Sequence, residues 1–255
     1  MALSRIAFVG YEFSGAPCRL EREYMQKNNS IGVEALLART SLFGGLEHAE
    51  LARLGAASRV IRLSRGEILF NVGERCKGIH IVAEGQMKLF FTSSQGQEKV
   101  LEIVSQGSSV DEAQLLTEEA YTVTAQAMTD TQVIHISREV VVNQLDFDHR
   151  LSLKMLRGLA SREYHLLCDL ESSSQHSGVQ RVITFLLGEI PAASAEHSSV
   201  EIMLRVPKGV IASRLNLTQE HFSRLLKTLS DQGLIHVERK LVRIPEISRL
   251  RKLLN

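Results

Sequence analysis

The sequence predicts an α+β chain: an antiparallel β-roll, one long dimerisation helix, and a C-terminal module of two helices and a hairpin. Three observations predict it. Between Ser58 and Ser137 apolar residues alternate with polar ones, and glycines (Gly66, Gly73, Gly78, Gly85, Gly96, Gly107) punctuate the stretch, the pattern of short strands joined by tight turns. From Leu153 to Leu170 apolar residues recur at spacings of 3 and 4. The net charge of +1 hides a division: 19 Lys and Arg stand against 25 Asp and Glu before Ile202, and 11 against 4 from there on. A basic end on a mildly acidic front suggests a polyanion-binding module joined to another domain.

At 255 residues and 44% hydrophobic, the chain can bury two cores. No apolar run approaches the ~20 residues a membrane span needs, and no membrane partner is expected. Cys18, Cys76 and Cys168 are scattered and odd in number, which writes neither a disulfide framework nor a zinc site and suits a reducing cytoplasm. Residues 1–30 read as a poorly ordered extension, with Met25 as an alternative start. From Ile31 to Arg53 apolar residues fall at helical spacing. The β-roll domain, 31–147, follows from the glycine pattern, because no helix-length crossover separates its strands.

The long helix is expected over 148–171. Leu153, Leu156, Ala160, Glu163, Leu167 and Leu170 form a heptad seam with one polar intruder, which favours a parallel homodimer. Met155, Leu159 and Leu166 make a second stripe facing the roll; the plainer alternative is one wide core-facing stripe. Ser172–Gly178 reads as a polar hinge, and 179–255 as the C-terminal domain.

Within that domain, Ile211, Ala212 and Leu215 face inward from a first helix, and Asn216 tolerates a left-handed turn. Thr218 is placed to cap a second helix. There Phe222, Leu225, Leu226 and Leu229 form the buried stripe, while Gln219, Glu220, Ser223, Arg224 and Lys227 lie opposite. Glu220, Ser223 and Arg224, at i, i+3 and i+4, point one way. In a major groove Arg reaches guanine O6 and N7, and Glu accepts from cytosine N4. A hairpin follows, with Arg239 and Lys240 at its tip for phosphates. A merely solvated face is the plain reading of such charges, but turn, cap, inward stripe and hairpin in one order outweigh it.

IASRLNLTQEHFSRLLKTLSDQGLI resembles the winged helix-turn-helix of the CRP/FNR superfamily of bacterial transcription regulators. The glycine-punctuated region resembles that family's cyclic-nucleotide-binding-type β-roll. The Glu220, Ser223, Arg224 triplet is similar to the FNR-type signature, which implies a palindrome of TTGAT-like half-sites on double-stranded DNA, and RNA polymerase as a further partner of an activator. Asn216 and His221 depart from the residues the family often carries there. The front of the chain lacks the clustered cysteines of iron–sulfur members, so no such cluster is expected. The cyclic-AMP pattern keeps Glu112 but has Tyr121 and Thr122 in place of Arg and Ser, so no cyclic AMP is expected.

GQEKVLE, DEAQLL and YTVTAQA look most like the DNR/NNR branch, which implies a response to nitric oxide through a haem. The effector pocket would lie between roll and long helix, lined by Glu112, Tyr121, Thr122, Thr124, Met155, Leu159 and Leu166. His149, His165, Cys168, His80 and Cys76 are the candidates for an axial ligand, and no metal-ligand set is defined. Two further readings stand beside this one: a cyclic-nucleotide-responsive or ligand-independent regulator, and, remotely, a cupin-type metalloenzyme, which needs a second histidine near His80. The chain is expected not to be an enzyme.

Overall fold

The computed structural model describes residues 30–191 and 199–254; the expected N-terminal extension, its alternative start and Cys18 lie outside them. Two short helices lead in, α1 (Ser30–Leu37) and α2 (His48–Ala56). Glu47 and Glu50 close a capping box at the start of α2. The roll follows, with β1 (Ser58–Leu63), β2 (Ile68–Phe70), β3 (Gly78–Glu84), β4 (Gln86–Thr92), β5 (Glu98–Ser105), β6 (Ser109–Val110), β7 (Thr124–Ala127) and β8 (Thr131–Ser137). They form two antiparallel sheets, ordered β1-β8-β3-β6 and β2-β7-β4-β5. Phe70, Val82, Met87, Val104, Tyr121 and Val133 are buried between them.

Two glycines are required by geometry. A Cβ on Gly78 would stand 2.1 Å from the Ile136 carbonyl oxygen, and one on Gly85, at φ +87°, 2.6 Å from that of Asp130. Between β6 and β7 lies a one-and-a-half-turn helix, α3 (Glu112–Thr117), entered through Asp111 at φ 79°. The roll passes directly into α4 (Arg138–Phe147). No element is expected there from the sequence, and three consecutive valines, Val140 to Val142, disfavour a helix. Burial of Val141 on the roll overrides the propensity.

The long helix, α5, runs His149–Gln175. Asp148 caps it, accepting from Arg150 N at 2.8 Å and Leu151 N at 3.3 Å. It extends four residues beyond the expected 171 and takes in most of the expected hinge. The hydroxyls of Ser173 and Ser174 both donate to Leu170 O at 2.9 Å, so serines that suggest a loop sit within the helix. The break narrows to His176 and Ser177, where Ser177 and Gln180 form a capping box for α6 (Gly178–Gly188). The seam leucines Leu153, Leu156, Leu167 and Leu170 are 53–63% exposed, so none of the described residues covers them. Leu151 and Met155, by contrast, are buried with Leu37, Phe43 and the outer face of the roll.

The C-terminal domain adds β9 (Val200–Met203), α7 (Lys208–Arg214), α8 (Gln219–Asp231), β10 (His236–Glu238), β11 (Leu241–Ile244) and α9 (Ile247–Arg251) around their own core of Ile183, Ile211, Phe222, Leu226, Ile235 and Ile244. Its sheet is ordered β10-β11-β9.

Candidate nucleic-acid interface and effector cleft

α7 and α8 are joined by a four-residue turn, Leu215 to Thr218, in which Asn216 takes φ 56°, the left-handed conformation expected of it. Leu217 N closes the turn on Ala212 O at 2.9 Å. Thr218 caps α8 as expected, its hydroxyl accepting from His221 N at 3.2 Å. At the other end Gly233 is left-handed, at φ 66°, and Leu234 N reaches Leu229 O at 3.0 Å, a helix stop that satisfies a terminal carbonyl.

Phe222, Leu226 and Leu229 are buried under α8, while Gln219, Glu220, Ser223, Arg224 and Lys227 are exposed along its outer face. Among the described residues the side chains of Glu220, Ser223 and Arg224 make no hydrogen bond or ion pair within the chain. The Gln219 amide lies over the start of α7, where a Cβ on Gly209 would meet it at 2.7 Å. Arg239, at φ 56°, and Lys240 form the exposed two-residue tip between β10 and β11. Helix cap and exposed triad thus share the N-terminal half of α8, with the backbone N–H groups of its first turn beside them.

Between the roll and α5 is a cleft of about 400 Å³. Charged and apolar side chains line it together, Glu102, Glu112, Arg162 and Asp169 beside Leu101, Ile103 and Leu166. Arg162 reaches out of α5 into it and donates Nη1 to Glu112 Oε2 at 2.8 Å and Nη2 to Ser109 O at 3.0 Å; its Nε lies 3.3 Å from Glu102 Oε2. Ser109 Oγ donates to the other oxygen of Glu112. Burial opposes the Arg162 charge, and the two glutamates more than offset it, holding the guanidinium above its ordinary pKa.

Of the expected effector residues, Glu112 and Leu166 line this cleft. The others do not. Tyr121 is inside the roll, its ring stacked 3.7 Å from that of Phe70. Thr124 is buried, its hydroxyl accepting from Val72 N at 3.3 Å, and Thr122 is exposed in the bend before that strand. Met155 is consumed by the core beneath α1 and α2; Leu159 is half-buried beside the cleft without lining it. The cleft does not fit a haem, which needs a flat apolar slot, whereas charged Arg162 and its two carboxylates fill this one. Among the candidate axial ligands, His165 lies at the cleft but donates Nδ1 to Ser161 O at 2.7 Å.

His80 is not alone. It pairs in register with His135 across β3 and β8, with Nε2 to Nδ1 at 3.0 Å, and its own Nδ1 meets Asp111 Oδ2 at 2.7 Å. Both imidazole nitrogens of His80 are therefore taken, and among the described residues no group of His, Cys, Asp and Glu could hold a metal ion. Burial, with Arg59 nearby, holds His80 down to about 3; burial, then the His80 and Arg59 neighbours, do the same for His135. Burial pushes Asp111 well above the carboxylate range.

The two domains touch through β5 and α7. Lys99 Nζ donates to Ser213 O at 2.8 Å and Arg214 O at 2.9 Å, the last carbonyls of α7. Ser213 Oγ accepts from Val100 N and donates to Glu98 O, at 2.9 and 2.8 Å, pairing with the open edge of the sheet. Burial lowers the Lys99 pKa, with Asp169 of α5 opposing.

The family described as cyclic nucleotide-binding domain matches residues 60–146, and that described as Crp-like helix-turn-helix domain matches 180–253. The CRP-like cAMP-activated global transcriptional regulator of Mycobacterium tuberculosis is 22% identical over 221 residues, covering 86% of this chain and 98% of that one. Among solved structures, a Ruegeria pomeroyi protein is 28% identical, with a TM-score of 0.55 over 89% of this chain and 98% of its own. FixK2 of Bradyrhizobium japonicum, 19% identical, shares the fold with a TM-score of 0.66 over 77% of this chain and 96% of its own. A sensor-type roll and a Crp-like DNA-binding domain, in that order along one chain, identify it: the protein belongs to the CRP/FNR superfamily of transcription regulators.

Proposed function

We propose that the protein acts as a homodimer on a palindrome of TTGAT-like half-sites, with Glu220, Ser223 and Arg224 reading base edges. Gln219, Lys227, Arg239 and Lys240 hold phosphates, and Thr218 fixes the helix end that enters the groove. The observation that carries this reading is the unpartnered triad on the exposed face of the capped helix α8. Dimerisation through Leu153, Leu156, Ala160, Leu167 and Leu170 would set two such helices about one DNA turn apart, roughly 34 Å.

A small effector acting at the cleft between roll and α5 would control the dimer by favouring one arrangement over the other. Nitric oxide is the effector to try first, on the branch resemblance. Cyclic AMP activates the Mycobacterium relative; here we expect no such response, since Tyr121 and Thr122 replace the anion-holding pair and Glu112 already holds Arg162. That ion pair favours a second reading, a regulator that binds DNA without any small ligand.

Gel shifts on a TTGAT palindrome and on a scrambled duplex, at one salt concentration, test the DNA reading: equal affinity for both would refute it. Repeating them with nitric oxide, with haemin and with cyclic AMP separates the effector readings. A Soret shift on adding haemin would contradict the misfit of the cleft.

A further inference from the structure

The α5 seam carries a carboxylate at its middle. Glu163 occupies the heptad position between Ala160 and Leu167, is exposed, and makes no ion pair or hydrogen bond among the described residues. Its helical neighbours at three and four residues, Leu159, Ala160, Leu166 and Leu167, are all apolar. Arg162 points to the roll, bound to Glu112 and Glu102. Arg157 lies six residues earlier, roughly 9 Å along the axis. Among the described residues no cation is therefore placed to neutralise this carboxylate when the leucines around it are covered.

A second copy is the occupant that fits. The seam is a regular heptad stripe, and a palindrome requires both DNA-binding domains at the same end, hence parallel helices in register. In that packing each core position meets its own equivalent. Glu163 then faces the partner subunit's Glu163, with Ala160, Leu167 and Tyr164 of the partner subunit completing its surroundings. Among the described residues of the seam, the phenol of the partner subunit's Tyr164 is the other titratable group there.

We propose that the two Glu163 carboxyl groups share a proton across the dimer axis, so that the dimer forms by proton uptake and tightens as pH falls. Two carboxylates in contact, part-desolvated by leucines, cannot both stay ionised at little cost, whereas one proton turns the repulsion into a hydrogen bond. The same layer keeps the dimer weaker than its leucines alone would make it, and aligns the two helices because any slip buries a carboxylate against leucine.

This inference rests on the homodimer proposed above, and sedimentation of the full-length protein separates the two. Wild-type protein should dimerise up to about tenfold more tightly for each pH unit between 7.5 and 5.5, the slope for one proton taken up per dimer. Glu163→Gln should be a tighter dimer at pH 7.5 and lose most of that slope, with circular dichroism confirming the same fold at both ends. A wild-type dimer of unchanged strength over this range, or a Gln variant keeping the wild-type slope, overturns the shared proton. A wild type and variant both monomeric at every pH overturn the dimer itself, a result the palindrome gel shift checks independently.

Discussion

Arg162 of α5 and Glu112 of α3 are joined at 2.8 Å across the boundary between long helix and roll. The pair is part-buried, Glu112 at 10% and Arg162 at 31% side-chain exposure, so solvent screens it only partly. Glu112→Gln leaves Glu102 as the one carboxylate beside the guanidinium, with the Ser109 carbonyl still accepting from it. The expected cost is about 1–2 kcal/mol, below the range for a fully buried pair, read as a lower urea midpoint at unchanged m-value.

Arg224 is the side chain most exposed to a base-reading test. Arg224→Ala should cost ~1–3 kcal/mol on the palindrome and relax selection at one base pair. Competition anisotropy against duplexes varied at each position checks it. Equal losses on specific and random DNA would reduce Arg224 to a phosphate contact.

Lys227, Arg239 and Lys240 should behave otherwise. Replacing any one with Ala should weaken all duplexes alike and lower the slope of log affinity against log salt by about one unit. A salt titration of each variant separates these positions from the base readers.

The histidine pair gives stability a pH dependence. His80 and His135 titrate near 6.5 when unfolded and at about 3 in the roll. Between these values the unfolded chain binds protons that the folded roll refuses, so stability falls as pH falls through the window. Asp111, raised by burial, works in the opposite sense and reduces the slope wherever its folded form still holds a proton that the unfolded chain has released. Urea unfolding at stepped pH should show the fall, and His135→Gln should flatten it.

Gly78→Ala tests the close approach inside the roll. Its Cβ would collide with backbone at 2.1 Å and with the His135 ring at 2.7 Å. Overpacking of this kind costs typically 1–3 kcal/mol, so the melting temperature should fall by several degrees.

The parts that local chemistry dictates were legible in the sequence. Period-two alternation with turn glycines marks the roll, the 3-4 repeat marks α5, and Asn216, Thr218 and Gly233 mark the ends of the DNA-facing helices. Pairings between distant residues were not. His135 stands 55 residues from His80 and becomes its neighbour only through the register of β3 and β8. Arg162 reads as one more solvated charge on a helix until the roll folds beneath it. The expected effector residues Tyr121 and Met155 are apolar enough to serve the cores instead, and the cores claim them.

The carbonyl groups that end α7 take a further donor from another domain. Asn216 N already reaches Ser213 O at 3.2 Å; Lys99 adds a charge-assisted bond there and another to Arg214 O, and it can do so only while the two domains rest against each other. A C-terminal fragment cut free at His176 should accordingly fray at Ser213 and Arg214, directly before the turn that aims α8. Its hold on DNA would then underestimate that of the whole chain, because a strand of the roll helps to hold the end of α7 in place.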